Sequence, residues 1–324
     1  MGKIDLSIVI TSYNTKELLV GCLNSIFNNT HNLTYEVIVV DNASTDGSVT
    51  AIRKLQKTMI RQAHDPGQSQ ADSALQMKII TNKKNVGFGR ATNQGINRAN
   101  GKYVLLLNSD TIVKSNVLAG MAGWMDKRLK VGAATCALLN SDNTLQGTGG
   151  YFPSLFRVFA WMFFLDDIPL IDTLIKPFHP MHRRSPFYKG EIYYQSPREV
   201  EWITGAFMML RKTALDKSGL FDEDYFMYTE DTDLCFRIKK YGWEVWYLPQ
   251  WEITHLGGAS SKSPYPILSE YAGIKLFYKK HYSVWKYPIL RVILKAGALF
   301  RIIVFGLIEG KGAIKTYARA FVQA

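Results

Sequence analysis

The residues most able to do chemistry in this sequence stand at the end of an apolar run. Tyr103–Leu107 is followed at once by Asn108, Ser109 and Asp110. Such a run is typical of a buried strand in a parallel sheet, and ligands of open α/β sheets bind at the carboxyl ends of their strands. Asp110 could there bind Mg²⁺ or Mn²⁺, which prefer oxygen ligands and share them with phosphates. The alternative is that Asp110 only caps the helix that begins near Ser115.

Polar residues also follow the first two apolar runs of the chain. The run at 6–10 leads into Thr-Ser-Tyr-Asn at 11–14, and the run at 35–40 leads into Asp-Asn-Ala-Ser at 41–44. Adjacent parallel strands put these residues in one crevice, where an acid after the second strand can bind a ribose hydroxyl or a base. The first turn has no glycine, which argues against the G-x-G-x-x-G motif of dinucleotide binding.

Two acidic or glycine-containing segments could border the same crevice. The Asn-Val-Gly-Phe-Gly turn at 85–89 opens a helix, and amides at a helix N-terminus can approach phosphate or sugar. Residues 223–233 carry five acids, which are tolerated best beside a cation. Among them Asp231 can act as a general base, with helix capping as the alternative role. His255 precedes two glycines at 257 and 258, and is either a ligand or a structural histidine.

Alternating apolar strands and helices predict the scaffold that positions these residues. Strands are expected at 6–10, 35–40, 77–81, 103–107 and 132–139, with helices between them. This alternation predicts βαβ units, and therefore an α/β fold with a mostly parallel central sheet and helices on both faces. The alternation is lost from 151 to 198, where aromatic, proline and basic residues accumulate, and returns with apolar segments at 200–209 and 244–248.

Composition and charge narrow the function classes. The chain has 324 residues, of which 47% are hydrophobic, enough for one large domain or two modest ones. Three scattered cysteines indicate a reducing compartment without a disulfide framework. We expect no signal peptide, because a strand begins at residue 6. The net charge of +12 calls for an anionic partner, which could be nucleic acid, phospholipid or a diphosphate.

The last fifty residues differ in character from the rest. From residue 275 onward ten Lys and Arg residues stand against the single acid Glu309. Within the apolar segment 288–308, Arg291, Lys295 and Arg301 fall on one side of a helix. Charges so closely spaced argue against a span and predict a helix in the membrane interface with these three residues directed at headgroups. The alternative is a helix packed on the rest of the chain or in a dimer. Nucleic acid is disfavoured, because the basic residues concentrate on an apolar helix.

Together these motifs resemble family-2 glycosyltransferases, and the sequence looks most like their bacterial rhamnosyltransferase branch from about residue 5 to 260. The motifs that carry the resemblance lie at 11–14, 39–44, 85–89, 107–110, 204–207, 229–231 and 255–258. The resemblance implies a GT-A-like fold that binds a nucleotide-diphosphate sugar. It also implies transfer of the sugar to a hydroxyl with inversion at the anomeric carbon.

The resemblance also assigns roles to single residues. The donor set is Thr11, Tyr13, Asn14, Asp41, Asn42, Ser44, Asn85, Gly87, Asn93, Asn108, Ser109 and Asp110. Asp110 and His255 are the implied metal ligands, with Asn108 in place of the first acid of the usual Asp-x-Asp motif. The acceptor side is assigned to Trp202, Gly205 and Glu230, and the general base to Asp231.

From these assignments we expect a catalytic domain over 1–265, with a nucleotide-binding half to about 140 and an acceptor half over 141–265. A basic amphipathic helical segment that associates with the membrane is expected over 266–324. The expected cofactor is a divalent metal, Mn²⁺ or Mg²⁺. The resemblance implies dTDP-L-rhamnose as donor and a cell-surface polysaccharide or lipid-linked glycan as acceptor. We expect a cytoplasmic protein attached peripherally to the inner face of the cell membrane, with homo-oligomerisation left open.

Three other functions compete with this hypothesis. A UDP-hexose or UDP-N-acetylhexosamine transferase would have the same fold and the same motifs. A catalytically inactive membrane scaffold could keep the motifs without the activity. A sugar-1-phosphate nucleotidyltransferase would share the sheet, but it would need a glycine-rich basic loop after the first strand, which residues 11–16 do not supply.

Overall fold

The computed structural model describes residues 4–63, 76–168, 174–179, 192–257 and 265–324. The strands are β1 (Leu6–Ser12), β2 (Tyr35–Asp41), β3 (Gln76–Thr81), β4 (Tyr103–Asn108), β5 (Thr111–Val113), β6 (Val131–Leu139), β7 (Leu145–Gln146), β8 (Arg198–Val200), β9 (Phe207–Arg211) and β10 (Glu244–His255). The α-helices are α1 (Lys16–Asn29), α2 (Ser48–Ala63), α3 (Phe88–Ile96), α4 (Val117–Asp126), α5 (Leu155–Met162), α6 (Lys212–Ser218), α7 (Glu230–Lys240), α8 (Tyr265–His281), α9 (Lys286–Glu309) and α10 (Lys311–Gln323). Short 3₁₀ turns occur at Leu165–Asp167 and Ile192–Tyr194.

The ten strands of the described residues form one sheet, in the order β3-β2-β1-β4-β9-β6-β10-β5, with β7 beside β6 and β8 beside β10. Strands β1 to β4 pair in parallel, as do β6 and β10. These strands confirm the predicted α/β fold. Strand β9 lies antiparallel between β4 and β6. The sequence did not predict its direction, because an apolar run has the same pattern in either direction.

Both faces of the sheet are buried, as the continuous apolar runs predicted. Ile8 and Leu105 belong to one core cluster, which includes residues of α1 and α4. Val9 and Leu106 belong to the other cluster, to which α7 and α8 contribute. Every residue of β2 is buried. The sheet is therefore a rigid platform that holds the ends of its strands in fixed positions.

The C-terminal helices are part of this packing. Tyr271, Ile274 and Phe277 of α8 are fully buried in the larger core cluster. Helix α9 lies close against α5, since a Cβ on Gly297 would come within 2.3 Å of Met162 Cε. The division predicted at residue 265 stays a prediction, although these contacts join the segment after it to the core. No helix within the described residues is both long and apolar enough to cross a membrane.

The predicted direction of Arg301 is wrong. Its side chain is only 6% exposed, and it donates to the carbonyl oxygens of Trp161 (Nη2–O 2.6 Å) and Met162 (Nε–O 3.2 Å). These carbonyls end α5, where the helix dipole favours a cation. The guanidinium also stacks over the Trp161 ring. A helical projection of α9 cannot show which side faces protein, because both sides carry apolar residues.

Some predicted features lie outside the described residues. They include Gly258 and the basic residues at 182–184 in the segment without alternation.

We expect Arg301→Met to lower the free energy of unfolding by about 2–3 kcal/mol, since it leaves two buried carbonyl groups without their donors. Urea denaturation of the full chain measures this. Arg319→Met is the matched control, because Arg319 is exposed on α10, and it should change stability by less than about 0.5 kcal/mol. Equal stability of the two variants would contradict the role of Arg301.

Candidate active site

The carboxyl ends of three parallel strands form one edge of the sheet. Thr11 is in register with Asn108 on β4, and Ser12 is in register with Asp41 on β2. The structure therefore brings the three polar motifs at 11–14, 41–44 and 108–110 together, as the sequence predicted.

Asp41 presents an unusual carboxylate at this edge. It is 2% exposed, and its Oδ2 accepts from the Ser44 amide at 3.0 Å. Its Oδ1 is buried and has no hydrogen-bond partner within the described part of the chain. A buried acceptor without a donor is unfavourable. The N–H of a base or the hydroxyl of a ribose would satisfy it.

Asn14 and Ser44 tie the first two strand ends together. The Asn14 amide, at φ 54°, donates to Ser44 Oγ at 2.9 Å, and Asn14 Oδ1 accepts from the Thr45 amide at 2.8 Å. These side chains are thus used to hold the loops. Tyr13, by contrast, is exposed at the rim of the crevice, where its ring is free to stack on a ligand.

The hydroxyls of Thr11 and Ser109 bond within the protein as well. Thr11 Oγ1 lies 3.0 Å from Thr92 Oγ1 on α3, and Ser109 Oγ lies 2.9 Å from Thr15 Oγ1 at the start of α1. Each bond connects a strand end to the adjacent helix. These contacts give the edge a defined shape.

Asn42 and Asn85 shape the glycine turn beside this edge. Asn42 Nδ2 donates to Asn85 Oδ1 at 2.9 Å, and Asn42 Oδ1 accepts from the Val86 amide at 3.0 Å. Gly87 follows with φ +89°, and a Cβ there would lie 2.9 Å from the carbonyl oxygen of Phe226. Only glycine allows this turn to approach the acidic segment so closely.

Asn93 makes a second link to the acidic segment. Its Nδ2 donates to the Phe221 carbonyl at 2.8 Å, and its Oδ1 accepts from the Phe221 amide at 3.0 Å. The structure therefore places Asn93 in a buried bridge between α3 and the segment that leads to α7.

Asp110 and His255 form the candidate metal site. Leu256 donates its amide to the Asp110 carbonyl, which folds the end of β10 back onto the end of β4. Asp110 Oδ1 then lies 3.3 Å from His255 Nε2. Two adjacent ligands of an octahedral ion with bonds of about 2.1 Å are separated by about 3.0 Å. The pair is therefore spaced to share a divalent cation.

Gln146 fixes the orientation of this histidine. Its Nε2 donates to the His255 carbonyl at 2.6 Å, and its Oε1 accepts from His255 Nδ1 at 2.7 Å. In the neutral ring the lone pair of Nε2 then faces Asp110 and Asn108. A ligating histidine commonly has such a hydrogen-bond partner on its other nitrogen. No sequence signal singled out Gln146, since it lies on a two-residue strand far from the motifs.

The candidate base lies at the N-terminus of α7, after two strained residues. Tyr228 and Thr229 have φ values of 68° and 71°. Asp231 Oδ1 accepts from the Thr232 amide at 2.7 Å, and its Oδ2 accepts from the Gly205 amide at 3.3 Å. A carboxylate at a helix N-terminus is also favoured by the helix dipole.

A short path of backbone hydrogen bonds joins Asp231 to the end of β4. The residue after Gly205 is Ala206, whose carbonyl accepts from the Asn108 amide at 3.0 Å. Asp231 is thus connected to the end of β4 through two hydrogen bonds and the adjacent residues Gly205 and Ala206. Asp231 and the strand that leads to Asp110 therefore belong to one connected site.

Burial changes the acidity of the two adjacent acids. Burial raises the pKa of Asp231, against the opposing effect of its hydrogen bonds from Thr232 and Gly205. Burial and the charge of Asp231 raise the pKa of Glu230 well above its usual value. Glu230 Oε2 has no partner among the described residues. A protonated Glu230 leaves the negative charge on Asp231, whose raised pKa makes it a stronger proton acceptor.

A group of aromatic rings includes His179, which acts on Asp231 electrostatically. Trp202 is buried and donates its indole N–H to the Phe178 carbonyl at 3.1 Å. Its ring meets that of His179 edge to face at 5.2 Å, and His179 pairs with Glu270 of α8. The positive form of His179 acts to lower the pKa of Asp231. The sequence indicated Trp202 but missed His179, which lies in the segment without alternation.

Comparison with known proteins identifies the family. Residues 7–219 match the family described as Glycosyl transferase family 2, and residues 170–309 match Glycosyl transferase family group 2. The chain belongs to glycosyl transferase family 2. The resemblance found in its motifs is thereby confirmed.

Two curated relatives of this family-2 glycosyltransferase are rhamnosyltransferases. It is 24% identical over 230 residues to the N-acetylglucosaminyl-diphospho-decaprenol L-rhamnosyltransferase of Mycobacterium tuberculosis, which covers 68% of this chain and 66% of the relative. It is 24% identical over 184 residues to rhamnosyltransferase WbbL of Escherichia coli, covering 55% of this chain and 63% of the relative. The chain thus spans just under two thirds of the length of these relatives.

The fold of this glycosyltransferase is also found in a solved enzyme. A mannosyltransferase from Pyrobaculum calidifontis, solved in complex with GDP-Man and Mn²⁺, superposes with a TM-score of 0.55 at 16% identity. The match covers 99% of this chain and 74% of that one. The predicted GT-A-like fold is confirmed by this likeness.

We expect Gly273→Ala to destabilise the turn before Asp231. A Cβ on Gly273 of α8 would lie 2.3 Å from Thr229 Oγ1, and such overpacking costs about 1–3 kcal/mol. Thermal and urea denaturation measure the change. Gly123→Ala is the matched control, because a Cβ there meets nothing within 4 Å and alanine favours a helix interior by about 0.5–1 kcal/mol. If Gly273→Ala were as stable as Gly123→Ala, α8 would not support this turn.

Proposed function

We propose that this protein transfers a sugar from a nucleoside-diphosphate sugar to an acceptor hydroxyl, with inversion at the anomeric carbon. The observation that carries the proposal is the backbone link between Asp231 and the end of β4. Gly205 donates to Asp231, and the adjacent Ala206 accepts from Asn108. A basic carboxylate therefore lies beside the strand end that leads to Asp110, as a direct transfer between donor and acceptor requires.

The reaction forms one bond to the anomeric carbon, breaks another and transfers one proton. The acceptor hydroxyl gives its proton to the Asp231 carboxylate as its oxygen forms a bond to the anomeric carbon. The bond from that carbon to the diphosphate oxygen breaks, and its electron pair leaves with the nucleoside diphosphate. One base acting opposite the leaving group gives a single displacement, which inverts the configuration.

The leaving diphosphate needs positive charge near it. We propose that Asp110 and His255 hold a divalent metal, Mn²⁺ or Mg²⁺, with Asn108 beside them. The spacing of the Asp110–His255 pair and the orientation of the ring by Gln146 support this. Among the described residues no group of three or more His, Cys, Asp or Glu surrounds a common point. When bound, the metal supplies charge that stabilises the departing diphosphate.

On the donor side, we propose that Asp41 and Tyr13 contact the nucleoside. Asp41 has an unsatisfied buried oxygen, and Tyr13 has an exposed ring at the rim. We propose that Asn42, Asn85, Gly87 and Asn93 act on the diphosphate and the sugar mainly by shaping the loops, because their polar groups already bond within the protein.

The two rhamnosyltransferase relatives support dTDP-L-rhamnose as the donor. We further propose that the acceptor is a lipid-linked glycan or a cell-surface polysaccharide. The protein would then act in the cytoplasm, attached to the inner face of the cell membrane. A thermal-shift panel of dTDP, UDP and GDP and their sugars, with and without Mn²⁺, tests the donor. The cognate nucleotide should raise Tm most, because binding to the native state stabilises it by mass action.

We expect Asp231→Asn to reduce turnover by about 10²–10⁴-fold, the range for losing a general base, with nucleotide affinity nearly unchanged. Because burial raises the pKa of Asp231, wild-type kcat should rise with pH as this carboxyl loses its proton, and the variant should lack this rise. Release of nucleoside diphosphate measures both effects. Asp224→Asn is the control from the same acidic segment, since Asp224 is exposed and pairs with Lys280. Equal turnover of Asp231→Asn and wild type would remove Asp231 as the base.

For the metal, we expect Asp110→Ala to abolish the Mn²⁺-dependent gain in nucleotide affinity and His255→Ala to reduce it less. Gln146→Leu should weaken metal binding by about 10–100-fold, since it removes the hydrogen bond that orients the ligand. Isothermal titration calorimetry measures each affinity. Asn143→Gly is the control from the same hairpin, because its φ of 62° suits glycine. If Asp110→Ala kept the full gain, the metal would bind elsewhere or not at all.

A further inference from the structure

Helix α9 carries apolar side chains on two opposite faces. Its inner face, which includes Leu290, Leu294 and Phe305, is buried against α5, α8 and α10. The opposite face carries apolar residues at intervals of three or four, the spacing of one side of a helix. Its members are Ile289, Val292, Ala296, Leu299, Ile303 and Leu307. Val292 is 67% exposed, Ile303 64% and Leu307 85%.

This exposed stripe continues onto α5 through neighbouring aromatic rings that are tilted against one another. Phe300 of α9 lies 5.3 Å from Phe163, and Phe163 lies 4.8 Å from Phe159 of α5, between ring centroids. Phe159 and Phe156 are both exposed on α5. We call the surface formed by Phe156, Phe159, Val292, Leu299, Ile303 and Leu307 the outer apolar face. A contiguous exposed apolar surface of this kind is typical of a docking site.

The residues around the outer apolar face are basic. Arg291 and Lys295 of α9 flank the stripe on one side and Lys286 flanks it on the other, at 100° per residue. Helix α10, which packs beside α9, adds exposed Lys311, Lys315 and Arg319. Glu309 is the only acid in α9 and α10. The partner that fits this surface is apolar at its centre and anionic at its border.

An anionic bilayer meets this description better than a second copy of the chain. A two-fold dimer places the same patch against itself, which would bring these basic borders together and cost free energy by like-charge repulsion. Acidic headgroups would instead neutralise them. Because the inner face of α9 is occupied by protein, the helix must lie along the surface that it contacts. An interfacial helix of this kind has an apolar side and basic residues beside it.

We propose that the outer apolar face docks on an anionic bilayer, with α9 and α5 parallel to its plane. This inference rests on the proposed function and deepens it, because it places the acceptor side of the site at the lipid. Arg301 joins α9 to the end of α5. Trp161 of α5 packs against Phe178 and His179, which border Trp202. An acceptor with a lipid anchor would then reach Asp231 from the docked face.

The test is flotation of the full chain with vesicles of phosphatidylethanolamine and phosphatidylglycerol, compared with pure phosphatidylcholine. We expect wild type to float with the anionic vesicles and less with the neutral ones. The double variant Ile303→Glu/Leu307→Glu should bind at least about tenfold less, because it removes apolar burial and adds acids at the lipid. Leu129→Glu is the matched control, since Leu129 is 73% exposed, belongs to neither α5 nor α9, and should float like wild type.

Two further measurements keep the outcome clear. Tm and Mn²⁺-dependent nucleotide affinity should be unchanged in the double variant, which separates loss of docking from misfolding and from loss of the donor site. Lys311→Gln/Lys315→Gln should weaken anionic binding by about fivefold for each lysine.

Equal flotation of wild type and the Ile303→Glu/Leu307→Glu variant, or none by wild type, would overturn the proposal. So would a wild-type dimer in sedimentation that the double variant converts to monomer, because a second copy would then be the occupant. Full turnover by Asp231→Asn would overturn the proposed reaction instead, whatever the vesicles show.

Discussion

The antiparallel direction of β9 is the constraint on which the candidate site depends. Because β9 runs opposite to β4, its N-terminal end lies at the carboxyl edge of the sheet, where Ala206 accepts from the Asn108 amide. Gly205 at that end is then positioned to donate to Asp231. A parallel strand would put the same residues at the far edge, about five residues or roughly 17 Å away. One change of strand direction thus brings the acid of α7 beside the donor crevice.

Holding a basic carboxylate there has a cost that the surroundings offset. Glu230 is buried and Asp231 is half-buried, and burial raises the pKa of each. The amides of Gly205 and Thr232 stabilise the ionised form of Asp231. The strained turn before α7 is held by α8, whose Gly273 lets the two backbones approach closely. The site therefore depends on a helix that sequence reasoning assigned to the membrane segment.

The C-terminal helices have a buried side that packs on the domain and an exposed side that is also apolar. Their inner residues complete the core of the glycosyltransferase, and Arg301 fixes α9 to α5 by bonding to the last carbonyls of that helix. A buried arginine needs its donors satisfied, so this contact also specifies how α9 lies on the domain. The opposite side of α9 is also apolar, although no part of the described chain covers it.

The sequence by itself determined the βαβ order, the strand ends that carry Asp41, Asn108 and Asp110, and the family, because strand burial and polar strand ends leave local patterns. Tertiary structure alone decided which polar groups are engaged and which remain open. Asn42 and Asn93 look as suited to a ligand as Asp41 does, yet they bond to backbone brought from elsewhere. Gln146, His179 and the burial of Arg301 left no local signal, since each depends on a contact more than fifty residues away. The periodicity of a sequence shows which residues share one face of a helix or strand, but only the tertiary packing decides whether that face contacts protein or solvent.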